Sequence, residues 1–155
     1  MNQAIQEQPG TKTTERPLYS PGLEGVIAGE SALCQVDEGE AGLRYRGYAI
    51  GDLAKWSRFE EVAYLLLIGH LPTRSELDSF STLLRGHRVL PDPVQRFIDS
   101  LQPGLHPMDV LRTGISLLGL SDPDAQVGSH EANLRKSMRL LSQIPLLIAH
   151  SYRVM

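Results

Sequence analysis

The sequence is poor in the features that mark secreted, membrane-spanning or nucleic-acid-binding proteins. Its single cysteine, Cys34, cannot form an internal disulfide, which suits a reducing compartment, so we expect a cytoplasmic location. The 18 acidic and 15 basic side chains leave a net charge of −3, which does not favour nucleic acid or an anionic membrane. The apolar runs at residues 62–68 and 144–149 are too short to cross a bilayer. A globular protein without a nucleic-acid or membrane partner is therefore expected.

The start of the chain lacks the pattern of a targeting signal. The first 18 residues are polar and contain no apolar stretch of the kind that a secretion signal needs. Glu7 and Glu15, against one arginine at Arg16, do not fit a mitochondrial presequence either. Because low hydrophobicity favours disorder, we predict a disordered polar tail over residues 1–18 and a folded domain over residues 19–155.

Motifs for metal, nucleotide or nucleophile chemistry are also missing. The sequence has no C-x-x-C or H-E-x-x-H motif, no glycine-rich phosphate loop and no G-x-S-x-G elbow. We therefore predict no catalytic residue, no cofactor-binding residue and no metal ligand in this chain, and substrate-binding residues stay open. The five histidines are scattered at spacings that do not suit a metal: His70, His87, His106, His130 and His150.

Three histidines allow a functional and a structural interpretation. His106 lies where a helix should begin and could be a ligand or an acid–base group there. A helix N-terminus disfavours the charged imidazolium, so a helix-entry role that positions Pro107 is favoured. His70 and His150 lie at or near apolar helix faces, and we expect satisfied or half-exposed core histidines.

Residues 32–36 show the two-residue period of a strand. Residues 37–42 have the composition of a turn, and residues 43–46 show the period of a second strand. This pattern predicts a β-hairpin within a ribbon at about residues 25–47. Two strands alone are marginal in water, so the ribbon should lie against a helical body.

The ribbon carries three side chains with possible chemistry. We expect Cys34 to be a buried and inert thiol rather than a reactive one. Arg44 and Arg46 could pair with an anion, but the solvated side of a two-faced ribbon is the favoured place for them.

From about residue 49 to residue 155 the apolar spacing is helical. We predict Ser57 as the cap of one helix, Gly69 as its end, and a capping box of Thr73 with Glu76 for the next. Further helices are predicted to start at Pro91 or Pro93, at Pro107 and near Glu131, with a loop at residues 120–128 and a kink at Pro145.

The predicted inward faces carry apolar residues three and four positions apart. The last pattern is still apolar where the chain stops, so we expect a helical core that is unfinished. The inward positions are Phe59, Val62, Ala63, Leu66 and Leu67; Leu77, Phe80, Leu83 and Leu84; Val94, Phe97, Ile98 and Leu101; Met108, Leu111, Ile115 and Leu118; and Leu134, Met138, Leu141, Ile144, Ile148 and Tyr152.

Three stretches, in order along the chain, resemble the citrate synthase family. They are the segment at residues 22–54 with its run Leu43–Arg44–Tyr45–Arg46–Gly47–Tyr48, then Leu71–Pro72–Thr73, and then His106–Pro107–Met108–Asp109–Val110–Leu111–Arg112–Thr113. The similarity extends from about Tyr19 to Arg153. It implies a mainly α fold, in which a short β-hairpin precedes a helical array that corresponds to the first part of the family's large domain.

The resemblance also implies a reaction. Citrate synthases condense acetyl-CoA with oxaloacetate in the tricarboxylic acid cycle, without a metal, and then hydrolyse the thioester. A carboxylate removes a proton from the thioester methyl group, one histidine stabilises the enolate and a second polarises the oxaloacetate carbonyl. In the family these residues follow the part that resembles residues 144–153, so none is carried over. The resemblance implies the N-terminal part of an acyltransferase that is inactive without its C-terminal catalytic region.

Several alternatives stay open. The chain could be half of a split enzyme, a shortened product, or a non-catalytic dimerisation or regulatory module that binds a full-length synthase. It could also derive from a 2-methylcitrate synthase that uses propionyl-CoA. The resemblance implies no cofactor bound by this chain, with a CoA thioester as the family's substrate. A homodimer or a complementing polypeptide would use the helices at about residues 107–120 and 131–155.

Overall fold

The computed structural model describes Gly22, residues 29–36 and residues 42–155. The predicted tail at residues 1–18 lies outside the described residues, and the proposed domain boundaries stay predictions. From Ala32 onward the chain forms a compact unit. Its described elements are β1 (Cys34–Val36), β2 (Leu43–Tyr45), β3 (Tyr48–Ala49), α1 (Ile50–Trp56), α2 (Phe59–Ile68), α3 (Arg74–Gly86), α4 (Asp92–Asp99), α5 (Pro107–Leu120) and α6 (His130–Val154). The predicted mainly α fold with a short β-hairpin is confirmed.

The ribbon is an antiparallel sheet in the order β1-β2-β3, with Cys34 opposite Tyr45 and Arg44 opposite Ala49. The sequence did not predict β3, because two residues are too few to show a period. The second turn is tight: Arg46 has a φ of 48° and Gly47 a φ of 89°. Most residues avoid positive φ, which makes Arg46 a strained position. As predicted, the ribbon lies against helices, since β2 and β3 both contact α1.

Capping residues in the sequence predicted most helix ends correctly, but the cap predicted at Ser57 was wrong. Ser57 ends α1 instead of starting α2. Arg58 occupies the N-cap of α2, where its amide donates to the Glu61 carboxylate at 2.7 Å. At the start of α2, this charge-assisted hydrogen bond from the Arg58 amide to Glu61 takes the place of the cap that Ser57 was predicted to provide. Gly69, with a φ of 108°, ends α2 as predicted.

The predicted capping box at the start of α3 is confirmed. The Thr73 amide donates to the Glu76 carboxylate at 2.8 Å, and the Glu76 amide donates back to the Thr73 hydroxyl at 3.4 Å. The hydrogen bond from the Thr73 backbone, followed by those from the Thr73 hydroxyl and His70, lowers the pKa of Glu76 to about 2. The box therefore holds an ionised carboxylate at the positive end of the helix dipole.

Prolines and a polar loop precede the later helices and mark where they begin. Pro107 is the first residue of α5, as predicted. Of the two predicted starts of the helix before it, Pro91 is the N-cap of α4 and Pro93 lies in its first turn. Pro145 lies inside α6, which continues through it from His130 to Val154. The predicted loop before α6 lies at residues 121–129.

Among the described residues, the core contains two clusters that α6 joins. The larger one is formed by α4, α5 and α6 around Leu147, which has no exposed surface, with Val94, Ile98, Leu101, Val110 and Leu118. The smaller one, between α2 and α3, is centred on Ala63, Phe80 and Leu84. Met138 and Leu141 of α6 pack against this smaller cluster.

Helices α5 and α6 approach closely at one glycine. A Cβ placed on Gly114 would lie 2.6 and 2.7 Å from the two methyl carbons of Leu147 and 3.2 Å from its Cγ. Carbon atoms normally stay at least about 3.5 Å apart, so only a glycine fits here. Gly119, on the same helix, faces open space.

Five residues predicted to point inward are substantially exposed: Phe59 (66%), Leu83 (44%), Met108 (61%), Ile148 (50%) and Tyr152 (83%). For Ile148 and Tyr152, the reason is the rotation of α6 about its own axis. The buried stripe of α6 includes Ser142 and Ser151, polar residues that a hydrophobic pattern places outside. Ser142 satisfies its hydroxyl by donating to the Met138 carbonyl oxygen at 2.8 Å, so burial costs it little.

An ionic cluster that the sequence did not predict attaches the loop at residues 121–129 to α6. The Arg139 guanidinium donates to Asp122 at 2.7 and 2.8 Å and to Asp124 at 2.7 Å, and these three side chains are only 12–15% exposed. Burial acts to raise the pKa of Asp122, but the bonds from Arg139 and from the Asp124 amide outweigh it, and the pKa is lowered. Bonds from Arg135 and Arg139 also hold the pKa of Asp124 below its ordinary value.

Replacing Gly114 by alanine should destabilise the protein by about 1–2 kcal/mol, because overpacking against Leu147 outweighs the gain in helix propensity. The matched variant Gly119→Ala should instead be neutral or stabilising by up to about 1 kcal/mol. Urea unfolding followed by circular dichroism measures both. Equal effects at the two glycines would contradict the close approach of α5 and α6.

Arg139→Gln should destabilise the fold at pH 7 by about 2 kcal/mol, because it leaves two largely buried carboxylates without their shared partner. Arg135→Gln is the control: its side chain is 53% exposed and contacts only Asp124 of this pair, so a much smaller loss is expected.

The stability difference between the original chain and Arg139→Gln should depend on pH in a defined direction. The folded pKa values of Asp122 and Asp124 are below the ordinary value of 3.8, so their contribution is fully present above pH 5. It is lost as the pH falls through the lowered folded values. Urea unfolding between pH 6 and pH 2 should therefore show the two proteins converging in acid, and a constant gap would refute this assignment.

Candidate functional site

The structure keeps the histidines apart. His106 accepts a hydrogen bond from the Met108 amide on Nδ1 at 3.3 Å, which is the predicted helix-entry role. His70 is hydrogen-bonded as expected, with Nε2 3.4 Å from the Glu76 carboxylate and its ring edge-on to Tyr64. The His70 side chain is 57% exposed, in agreement with a satisfied, half-exposed histidine, whereas His150 is exposed on α6, so the expectation is wrong for His150. Among the described residues, no three His, Cys, Asp or Glu side chains are grouped to hold a metal.

The ribbon residues differ from expectation in two ways. Cys34 is exposed instead of buried, because β1 is an edge strand whose three residues all face solvent. Arg46 is half-buried rather than on a solvated face. Its Nη2 donates to the Leu66 carbonyl oxygen at 3.3 Å, and its Nε is enclosed without a hydrogen-bond partner. Arg44, also half-buried, donates to the Gly47 carbonyl oxygen at 3.2 Å.

Arg46 therefore has a structural function. Leu66 lies in the last turn of α2, where carbonyl groups lack partners within the helix and a cation is favoured by the helix dipole. The guanidinium satisfies one of these carbonyls and connects the ribbon to the helical body. The strained turn at Arg46 and Gly47 directs the arginine side chain there.

Four of the exposed apolar residues, Phe59, Met108, Ile148 and Tyr152, line two grooves on the described part of the chain. The α5/α6 groove, of about 270 Å³, lies between the start of α5 and the end of α6. It includes Met108, Leu111, Ile148 and Tyr152, and the hydroxyl of Ser151 is buried beside it without a partner. The sequence did not predict this groove because these apolar residues were assigned to the core.

The second groove, the α2/α6 groove, has a volume of about 520 Å³. Val62 and Leu66 of α2 form one wall, and Leu140 and Ile144 of α6 form the other, with Phe59 at one end. A groove lined by apolar side chains from two helices has the form that accepts another apolar segment. The chemistry that both grooves support is the burial of apolar segments, not acid–base or nucleophilic catalysis.

A polar hollow lies near the N-terminus of α2 and beside α3. Its volume is about 360 Å³. Its charged residues are Arg58, Glu60, Arg74, Asp78, Arg85 and Arg88. The positive charge of this hollow was not predicted, because the four arginines come from three separate segments of the sequence.

Comparison with known proteins agrees with this fold. Residues 22–155 match the sequence family described as citrate synthase, C-terminal domain. The 2-methylcitrate synthase of Shewanella oneidensis is 41% identical over 138 residues, which is 89% of this chain and 36% of that protein. The citrate synthase of Mycolicibacterium smegmatis is 40% identical over 140 residues, covering 90% of this chain and 37% of that protein.

Solved structures give the same result. The crystal structure of citrate synthase from Thermotoga maritima matches with a TM-score of 0.73 and 37% identity, covering 86% of this chain and 34% of that one. Citrate synthase from Pyrobaculum aerophilum matches with a TM-score of 0.78 and 30% identity, covering 96% of this chain and 41% of that one.

The chain thus spans little more than a third of the length of the curated relatives it matches. Within the described residues, no helix is both long and apolar enough to cross a membrane. The helical array, its ribbon and the match over residues 22–155 lead to one conclusion. The chain belongs to the citrate synthase family.

Proposed function

We propose that this chain is the scaffold part of a citrate synthase-type acyltransferase in the cytoplasm, and that it has no turnover without the family's C-terminal catalytic region. The observation that carries the proposal is the family match over residues 22–155, combined with coverage of only 36% of the most similar relatives named above. The reaction is the condensation of a CoA thioester with oxaloacetate, as in the tricarboxylic acid cycle. A related synthase from Thermoplasma acidophilum has a structure with carboxymethyl coenzyme A and oxaloacetate bound.

The part assigned to this chain is architectural. Deprotonation of the thioester requires a positioned carboxylate, and the enolate requires a donor such as a histidine. Several of the charged groups described above are instead engaged in structure: Glu76 caps α3, Arg46 binds a carbonyl in the last turn of α2, and Asp122 and Asp124 hold Arg139. The chain alone is therefore proposed to have no turnover.

The α5/α6 groove supports an assembly through these two helices. Met108, Ile148 and Tyr152 expose apolar surface there, and Ser151 keeps an unsatisfied hydroxyl. Covering this groove with a second copy or a complementing polypeptide would remove apolar surface from water, at about 25 cal/mol per Å².

The proposal leaves open whether the thioester substrate is acetyl-CoA or propionyl-CoA. Relatives named citrate synthase and 2-methylcitrate synthase are equally similar, at 40% and 41% identity. Acetyl-CoA and propionyl-CoA are therefore both proposed substrates of the assembled enzyme.

A second candidate function is a non-catalytic module that binds a full-length synthase. The two apolar grooves favour it, because they supply docking surface without catalytic groups. Copurification of the chain with an intact synthase, without a change in CoA-release activity, would distinguish this role from the first.

The proposal predicts the outcome of a CoA-release assay with oxaloacetate and either acetyl-CoA or propionyl-CoA. The purified chain should release no CoA above the rate without protein. Adding the remainder of the Shewanella oneidensis enzyme, lacking the region that this chain matches, should produce release that depends on both polypeptides.

Matched controls are the remainder alone and a mixture with the Arg139→Gln chain, whose weaker fold should lower the yield of active complex. Turnover by the chain alone at about 1 s⁻¹ or faster, the range of ordinary enzymes, would contradict the proposal. A complex that forms without turnover would favour the module instead.

A further inference from the structure

The polar hollow and the α2/α6 groove are connected along one side of α2. A middle hollow of about 350 Å³ lies between them. It shares Glu60, Leu84 and Arg88 with the polar hollow, and Phe59, Leu141 and Pro145 with the α2/α6 groove. The three together form one channel, named here the α2 channel, which is charged at one end and apolar at the other.

The charged end of the α2 channel has an excess of positive charge. Four arginines face two carboxylates, Glu60 and Asp78, and one of these carboxylates is already paired with Arg74 at 3.2 Å. The guanidinium groups of Arg58 and Arg88 make no hydrogen bond to any described residue.

The apolar end offers the shape and anchors of a helix-binding groove. It lies between two helices, with Val62 and Leu66 on one side and Ile144 on the other, and Phe59 is 66% exposed at its edge. Grooves of this kind accept the apolar face of an amphipathic helix through positions spaced three and four residues apart.

We propose that the α2 channel binds an amphipathic helix of a second polypeptide, with acidic residues at one end of that helix over Arg58 and Arg88. The charge complementarity and the change from polar to apolar lining select this occupant. The apolar end runs beside α2, which has 10 residues and is about 15 Å long, so about three turns of a docking helix cover that end. The inference deepens the proposed function, since it states the chemistry by which a complementing polypeptide is recognised.

Fluorescence anisotropy with two labelled peptides and the full chain tests the inference. Both peptides carry the same apolar helical face over about 12 residues, and one ends in three glutamates where the other ends in three lysines. The glutamate peptide should bind at least about tenfold more tightly than the lysine peptide, and the difference should shrink as salt is added.

Variants locate the site. Arg58→Gln with Arg88→Gln should remove most of the preference for the glutamate peptide, whereas Arg112→Gln, an exposed arginine on α5, should leave it intact. Phe59→Ser should weaken the binding of both peptides by about tenfold, because it removes an exposed apolar anchor. Met108→Ser, in the α5/α6 groove, should leave the affinity for both peptides unchanged. Circular dichroism confirms that each variant keeps its helices.

Absence of binding, equal binding of the two peptides, or an equal loss in Met108→Ser and Phe59→Ser would overturn the inference. These readouts do not depend on turnover. Peptide binding without reconstituted CoA release would retain the inference and reject the catalytic proposal. CoA release without peptide binding would reject the inference and retain the catalytic proposal.

Discussion

The contact of Leu147 with the backbone of Gly114 is the constraint on which the helical core depends. It lets α5 approach α6 closely enough for Leu147 to lose all exposure and to join the residues contributed by α4. The same helix α6 reaches the second cluster through Met138 and Leu141. One long helix therefore joins the two clusters, and its rotation about its own axis determines which residues of the chain face outward.

That rotation links the core to the interaction surfaces. With Leu147 and Ser151 turned inward, Ile148 and Tyr152 point outward over the start of α5, and Leu140 and Ile144 face α2. Each groove thus borders the core: Val110 and Leu147 line the α5/α6 groove, and Ala63 lines the α2/α6 groove. The chain has enough core to fix its helices, and it retains apolar surface that a second polypeptide can cover.

Features set by short-range chemistry could be predicted from the sequence. The capping box at Thr73, the helix end at Gly69 and the helix start at Pro107 each depend on residues within four positions, and the family resemblance of residues 43–48 is equally local. The resemblance also gave the order of ribbon and helices correctly.

Features set by distant partners could not be predicted. The exposure of Cys34 depends on β1 lying at a sheet edge, and the role of Arg46 depends on a carbonyl 20 residues away. The pairing of Arg139 with Asp122 spans 17 residues and has no sequence period. The inward face of α6 was misassigned because Ser142 and Ser151 are buried while Ile148 and Tyr152 are not, and only the packing of Leu147 against Gly114 determines that choice.

We propose that this chain supplies a scaffold and has no substrate site of its own. Isothermal titration calorimetry of the full chain with oxaloacetate, and then with carboxymethyl coenzyme A in its presence, tests it most directly. The account predicts no heat of binding for either ligand up to millimolar concentration. Saturable binding of both ligands with micromolar dissociation constants would contradict it.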